Sequence, residues 1–357
     1  MTIQARDEHW MQQAIELAKL GLGKTSPNPS VGCVIVSRDN ELLGNYYHQK
    51  YGGDHAEKGA IKSIIKTHGA QALKSSTCYV TLEPCSSHGQ TGACTSWIID
   101  HQISTVVYGC VDPNTKHAGR ADKILNQAGI TVRSGVLKLA CERLIQAFKK
   151  SQCQQIPWLA TKLAISLDGK LDRPSGESPW ISCPESRQRV QLLRAQFDAI
   201  LTSTTTLAAD KPQLTLRDSV LIEQGYTQPK RLVFTRQKPE KINKDHQPLF
   251  NDEYANHTYI YQIGSNKYPD FQSALKHCYK EYGIQSILVE AGAKLNAALI
   301  EESLIDEWIG FYAPIIAGGP TSALSTLTRS NQLHQVSREL IGTDILIRGL
   351  LHCSTCS

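Results

Sequence analysis

Three short stretches carry the residue types that chemistry at a metal requires. His55-Ala56-Glu57 opens a helical pattern, Glu83-Pro84-Cys85 follows a strand-like apolar run, and Cys94 comes nine residues after Cys85. One imidazole and two thiolates suit a tetrahedral zinc that keeps a fourth position for water. Two thiolates neutralise Zn²⁺ and leave an ion that still acidifies the water it binds. His55 and Cys94 both fall at predicted helix starts, where the helix dipole favours thiolate and other negative charge. Glu57, two residues from the imidazole, is placed to move protons without ligating. His-Ala-Glu alone is a weak signal, common at solvated helix starts; joined to the two cysteines it becomes specific. The bland alternative makes Cys85 and Cys94 ordinary buried thiols, the role expected for Cys33, Cys78, Cys110 and Cys141.

The elements that must hold these residues alternate. Apolar spacing predicts a helix over 7–22, a strand over 31–36 with a hairpin partner at 41–47, and a helix from His55 to about Gly69. Strands follow over 77–82, 105–111 and 130–134, with helices over 94–101, 121–128 and 138–150. This order predicts an α/β layered domain over 1–150. A second domain over 151–357 opens on a strand at 158–165, then a Gly/Pro/Ser-rich loop at 168–179 and a helix at 184–196. Further strands are predicted at 199–202, 231–235, 257–262 and 286–290, with a helix at 295–302. Residues 236–256 read as a surface excursion. No Gly-x-Gly-x-x-Gly fingerprint is present, so the second domain has no claim to the Rossmann signature.

Composition agrees with two folded domains. The chain has 357 residues, 41% of them hydrophobic and 20% charged, which excludes a disordered chain and needs no disulfide framework. Its net charge of +5 suits a small anionic ligand and is too mild for a nucleic-acid binder. No apolar run reaches the 18 or so residues of a membrane span, and the N-terminus is polar. Eleven cysteines fit a reducing, cytoplasmic setting, as metal ligands or free thiols.

The His-x-Glu and Pro-Cys pieces match the zinc-deaminase pattern, except that eight residues rather than two separate the cysteines. That spacing, together with Ser26-Pro27-Asn28-Pro29-Ser30-Val31-Gly32-Cys33-Val34, Gly52-Gly53-Asp54-His55-Ala56-Glu57 and the run from Thr81 to Thr91, resembles the deaminase half of the bifunctional riboflavin-biosynthesis deaminase–reductases. In the second half, Lys162 to Gly169, Ser175 to Ile181, Gln191 to Gln196 and Val289-Glu290-Ala291-Gly292 are similar to the reductase half of the same family.

The resemblance implies a cytidine-deaminase-like three-layer domain followed by a dihydrofolate-reductase-like α/β domain. It implies zinc on His55, Cys85 and Cys94, with Glu57 as proton carrier, and loss of an exocyclic amine from a diaminohydroxypyrimidine bearing a phosphoribosylamino group. Asn28 and His48 match positions that hold the pyrimidine or its sugar. The second reaction is reduction of the ribosyl group by NADPH, with Ala164, Trp180, Thr206 and Asp210 matching cofactor positions. Gly292, Ala293 and Lys294, between a strand and a helix, offer backbone N–H groups for the cofactor's phosphates. Ser178, Arg194, Leu214, Arg217 and Glu290 match substrate positions, the two arginines offering planar forks for phosphate. Family members form dimers or tetramers through the reductase half, so a homo-oligomer is expected, with neither nucleic acid nor membrane as partner.

The chain departs from the family pattern at several positions. Ser87 stands for a His, Gln90 for a basic residue and Gly92-Ala93 for two prolines, with His88 one residue along from the lost His. Asp54 stands for Pro, Gly59 for Asn or His, Lys211 for Asp, and Leu171-Asp172 for a small pair. Two other readings share parts of the pattern. A divergent paralogue would act on a related pyrimidine or have one weakened activity. A nucleic-acid or nucleoside deaminase would have the short Cys-x-x-Cys spacing and no second domain. A zinc-stabilised binding protein with decayed sites is a reading from another class, and its expected mark is loss of Glu57.

Overall fold

The computed structural model describes residues 2–86, 92–114 and 118–352. The chain divides into two compact units, Met1–Gln154 and Gln155–Ser357. The division falls a few residues beyond the predicted boundary at 150/151, because a helix runs through that point.

In the first unit the order is α1 (Ile3–Lys19), β1 (Gly32–Val36), β2 (Leu42–Tyr47), α2 (Ala56–His68), β3 (Thr77–Leu82), α3 (Cys94–Asp100), β4 (Thr105–Cys110), α4 (Arg120–Gln127), β5 (Thr131–Ser134), α5 (Lys138–Leu144) and α6 (Gln146–Gln154). The single helix predicted over 138–150 is two, broken at Ile145. The sheet runs β2-β1-β3-β4-β5. Strand β1 is antiparallel to β2 and β3, whereas β3, β4 and β5 are parallel.

Strand β1 is apolar throughout because both its faces are buried. Cys33 and Ile35 point into a core with Ala60, Ile61 and Ile64 of α2, while Val34 and Val36 point into one with Met11 and Ile15 of α1. Helices therefore cover both faces, giving three layers. Cys33, Cys78, Cys110 and Cys141 are buried thiols in these cores.

The second unit contains β6 (Trp158–Ser166), α7 (Pro184–Gln196), β7 (Ala199–Ser203), α8 (Thr204–Asp210), α9 (Ser219–Glu223), β8 (Lys230–Thr235), α10 (Pro248–Asn251), β9 (Thr258–Gln262), α11 (Phe271–Tyr282), β10 (Ser286–Val289), α12 (Ala293–Glu301), β11 (Glu307–Ala313), β12 (His334–Ile341) and β13 (Asp344–Leu350). Its eight strands run β12-β13-β11-β6-β10-β7-β8-β9. Those from β11 to β9 run parallel to one another, and β13 and β12 continue the sheet beyond β11 as an antiparallel edge. From β6 the chain moves away toward β7, β8 and β9, and from β10 it crosses back to β11 on the far side of β6. The C-terminal ends of β6 and β10 thus border a crevice of the kind in which open α/β sheets hold ligands.

The 236–256 excursion is more than surface. Leu249 is fully buried, and Asp252 takes two hydrogen bonds of 2.6 and 2.7 Å from the buried Arg231 guanidinium.

Candidate active sites

His55 is the cap residue of α2, with extended backbone, and its side chain makes no cap bond. It is therefore free to turn away from the helix. Cys85 follows β3, and Cys94 is the first residue of α3, donating its own N–H to the Cys85 sulfur at 3.3 Å. The His55 Nδ1 lies 3.5 Å from Cys85 Sγ and 3.4 Å from Cys94 Sγ. Tetrahedral zinc, with bonds of about 2.3 Å to sulfur and 2.0–2.1 Å to nitrogen, sets such atoms about 3.5 Å apart. The donor set and its spacing fit zinc. Hydrogen bonding to Cys94 and His55 lowers the Cys85 thiol despite burial, while the same pairing pushes the Cys94 thiol up, so two adjacent thiolates call for a cation between them.

Glu57, in the first turn of α2, is buried beside these donors. Burial, and then the neighbouring Cys85 charge, pushes its carboxyl up to about 7. The site opens into a cavity of about 380 Å³ to which Asn28, His48, His55, Glu57, Asp112 and Asn114 contribute. Helix α6 adds Phe148 and Gln152.

Asn28 and His48 are ordered by each other. The Asp54 carbonyl can only accept, so His48 Nδ1 carries the proton in their 2.9 Å bond. Burial lowers the His48 pKa and keeps the ring neutral, so Nε2 accepts from the Asn28 amide nitrogen at 3.2 Å. The Asn28 side-chain oxygen is left as an acceptor at the cavity wall.

Glu83, in the strand-end motif, is buried and accepts three backbone N–H groups, from Asp112, Gly119 and Ala121, at 3.0 to 3.2 Å. It thereby fixes the segment carrying Asp112 and Asn114. Neither of these residues was singled out from sequence; the available signal was their place just past the C-terminal end of β4.

The departures at 54 and 59 have structural reasons. The Asp54 carboxylate pairs with Lys62 at 2.7 Å and Lys58 at 3.4 Å, while its carbonyl holds His48. A Cβ at Gly59 would stand 2.1 to 2.5 Å from the Tyr46 ring, which fills that space. Ser87, His88 and Gln90 lie outside the described residues.

In the second unit, Glu290 follows β10 and faces Lys162 of β6, with 3.7 Å between Nζ and carboxylate. Arg194 of α7 gives Glu290 two bonds, 2.7 and 3.0 Å, and a third to the Thr215 carbonyl at 3.1 Å. Burial opposes ionisation of Glu290, but Arg194 and Lys162 hold it down to about 2. Three of the five N–H groups of Arg194 are thus spent on Glu290 and Thr215, which leaves two for a phosphate. Lys162, inside a quoted motif but given no role, is the cation next to that carboxylate.

Other expected residues fall into two groups. The Leu214 side chain is buried in the core and its backbone is left-handed at φ 53°, so only backbone atoms there can meet a ligand. The Gly292 N–H donates to Thr206 Oγ1 at 3.1 Å. Ala293 and Lys294 keep the open first turn of α12, whose cap glycine has no side chain to satisfy it. Arg217 is exposed and its guanidinium meets Gln213 at 3.0 Å. Trp180 is 55% exposed, with the Arg187 guanidinium 5.0 Å from its ring centre and its backbone N–H donating to Ser178 Oγ at 3.3 Å. Asp210 closes α8, its carboxyl raised by partial burial and then by the charge of Asp172. Asp172 is itself tied to Thr321 through the backbone N–H at 2.9 Å. Ala164 lies on β6, paired with Phe311 of β11. Lys211 takes the left-handed cap position after α8. These residues fit a nicotinamide dinucleotide: an uncapped helix start for its phosphates and an exposed indole for a flat ring.

Residues 157–347 match the family model for the RibD C-terminal domain, and residues 4–110 match the cytidine and deoxycytidylate deaminase zinc-binding region. The Escherichia coli riboflavin biosynthesis protein RibD is 38% identical over 90% of this chain and 91% of its own. The chain belongs to the RibD family. A solved RibD structure from Acinetobacter baumannii superposes with a TM-score of 0.82 at 35% identity, covering 97% of this chain and 99% of that one. A Thermotoga maritima diaminohydroxyphosphoribosylaminopyrimidine deaminase/5-amino-6-(5-phosphoribosylamino)uracil reductase gives 0.84 at 30% identity, covering 99% and 100%. The RibD family pairs a zinc deaminase with an NADPH-dependent reductase, so both domains and both cofactors of this chain follow from membership. Among the described residues no helix is long and apolar enough to cross a membrane.

Proposed function

We propose that the first unit hydrolytically deaminates diaminohydroxyphosphoribosylaminopyrimidine and that the second reduces the ribosyl group of the product to ribityl with NADPH. The observation that carries this is the His55, Cys85 and Cys94 cluster with a buried carboxyl, Glu57, beside it, in a chain that continues into a RibD-type reductase domain.

Bound zinc supplies the Lewis acidity that makes water a nucleophile at neutral pH. Glu57 moves protons between water, the ring nitrogen next to the reacting carbon and the departing ammonia. A carboxyl lifted by burial both accepts and releases protons near neutrality. Asn28 accepts from a pyrimidine N–H, oriented by neutral His48. Water enters and ammonia leaves, so an amine-bearing carbon becomes a carbonyl.

For the second step, NADPH supplies the hydride for the ribosyl C1′. As C1′ gains the hydride its bond to the ring oxygen opens; that oxygen takes a proton from the Lys162 ammonium, which solvent replaces, and the Glu290 carboxylate holds Lys162 in place. Trp180 walls the cofactor ring, Thr206 and Asp210 line the cofactor side, and Ser178 and Arg217 stand on the substrate side.

Purified protein incubated with the phosphoribosylaminopyrimidine tests this. Ammonia release without NADPH, followed by NADPH consumption once it is added, is expected. Absence of ammonia release from zinc-replete protein overturns the deaminase reading, and absence of NADPH consumption with the deaminated substrate overturns the reductase one.

A further inference from the structure

The deaminase cavity poses a charge problem for the substrate proposed above, on which this inference rests. Three acidic side chains, Glu57, Glu83 and Asp112, are among its described lining residues, and no lysine or arginine is. A phosphate monoester entering such a cavity needs a cation at its rim, because like charge disfavours entry at close range.

Lys50, itself outside the lining, immediately precedes three residues that form it. Residues 50–53 form a tight turn in which the Gly53 N–H donates to the Lys50 carbonyl at 3.0 Å. Gly52 takes the left-handed conformation that such a turn requires, φ 76°. His48 before this turn and Tyr51, Gly52 and Gly53 within it all line the cavity. The Lys50 stem folds over the turn, its Cγ 3.6 Å from where a Gly53 Cβ would be, and the residue is exposed. Lys58 and Lys62 are committed otherwise, both to Asp54 and to the face of Trp97, at 5.1 and 5.9 Å from the ring centre.

We infer that Lys50 binds the substrate phosphate of the deamination step and sets its preference for a phosphorylated pyrimidine. The turn fixes its Cα beside the cavity, and the flexible stem carries a point charge to an anion outside the pyrimidine pocket. Tyr51, 62% exposed at the same rim, covers the sugar between the two.

The test compares ammonia release from the phosphorylated substrate and its dephosphorylated counterpart in wild type, Lys50→Ala and Lys50→Arg. Lys50→Ala should raise KM for the phosphorylated compound about tenfold with kcat changed less than twofold, the size of one charged hydrogen bond at an exposed site. KM for the dephosphorylated compound should not change, and Lys50→Arg should restore the wild-type value. Ribose 5-phosphate, used as a competitive inhibitor, should weaken in parallel. An unchanged KM in Lys50→Ala, or a rise equal for both compounds, overturns the assignment, as does a phosphate-specific rise in Lys58→Ala or Lys62→Ala instead. Failure of the wild type to release ammonia from either compound refutes the deaminase reading itself and is distinguishable from these outcomes.

Discussion

The guanidinium of Arg194 grips the carboxylate of Glu290 through two hydrogen bonds, although 96 residues separate them in the chain. Both are nearly buried, and Lys162 completes the group. Removing one member leaves an uncompensated charge inside the protein. Arg194→Ala should therefore cost about 3–5 kcal/mol of stability in the reductase unit and abolish NADPH consumption. A variant that keeps wild-type thermal stability and shows only a raised KM for the phosphorylated substrate would falsify this role and leave Arg194 as a phosphate ligand alone.

The same group makes the second unit sensitive to acid. The folded-state pKa of Glu290, about 2, lies below its ordinary 4.5, so its contribution is complete above about pH 5 and drains away as pH falls toward 2. The shift corresponds to on the order of 3 kcal/mol. Urea titrations at successive pH values should show a midpoint falling over that window. In Glu290→Gln the fall should be shallower, and equal slopes in both proteins would contradict the account.

Glu57→Gln keeps the shape of the side chain and removes its proton. Ammonia release should drop by about 10²- to 10⁴-fold, with bound zinc and NADPH consumption on pre-deaminated substrate both unchanged. Chelation of zinc should remove ammonia release and spare the second reaction in the same way. Zinc content and the two separate assays decide it.

Asn28→Asp replaces the amide donor facing His48 Nε2 with an acceptor and loses the single orientation described above. Deaminase KM should rise about ten- to a hundredfold, equivalent to about 1.5–3 kcal/mol, the usual loss of a hydrogen bond to a charged or buried partner. Reductase kinetics serve as the internal control, and a matching change there would point to misfolding rather than to this contact.

Gly59→Ala should destabilise the first unit by about 1–3 kcal/mol, because the added methyl meets the Tyr46 ring. Combining it with Tyr46→Ser should recover part of the loss, since the two sites compete for one volume. Additive losses in thermal melts of the double variant would show that the ring moves aside freely.

Much of the first unit was legible because its signals are local. Strand β1 is apolar end to end, His55-Ala56-Glu57 marks a helix start, and the cysteines follow a strand and open a helix. The same local logic located α7 and β6. It passed over α11, although Asp270 and Ser273 form a capping box and Gly283 closes the helix. The last three strands were harder: β12 is exposed on most of its length and alternates too little to declare a face. What sequence could not give was partnership. Nothing near Arg194 shows that Glu290 occupies its fork, and nothing near Gly292 shows that Thr206 takes its N–H. Charge type was readable; whether a charge was already spent was not.

Glu83 couples two ends of the deaminase that a chain map shows as separate. It stands two residues before Cys85 and holds the backbone at Asp112, Gly119 and Ala121. The metal side and the far wall of the cavity are therefore tied through one carboxylate. A chimera that imports residues 111–121 from a relative will keep its donor cysteine aligned only if the carboxylate at 83 comes unaltered with it.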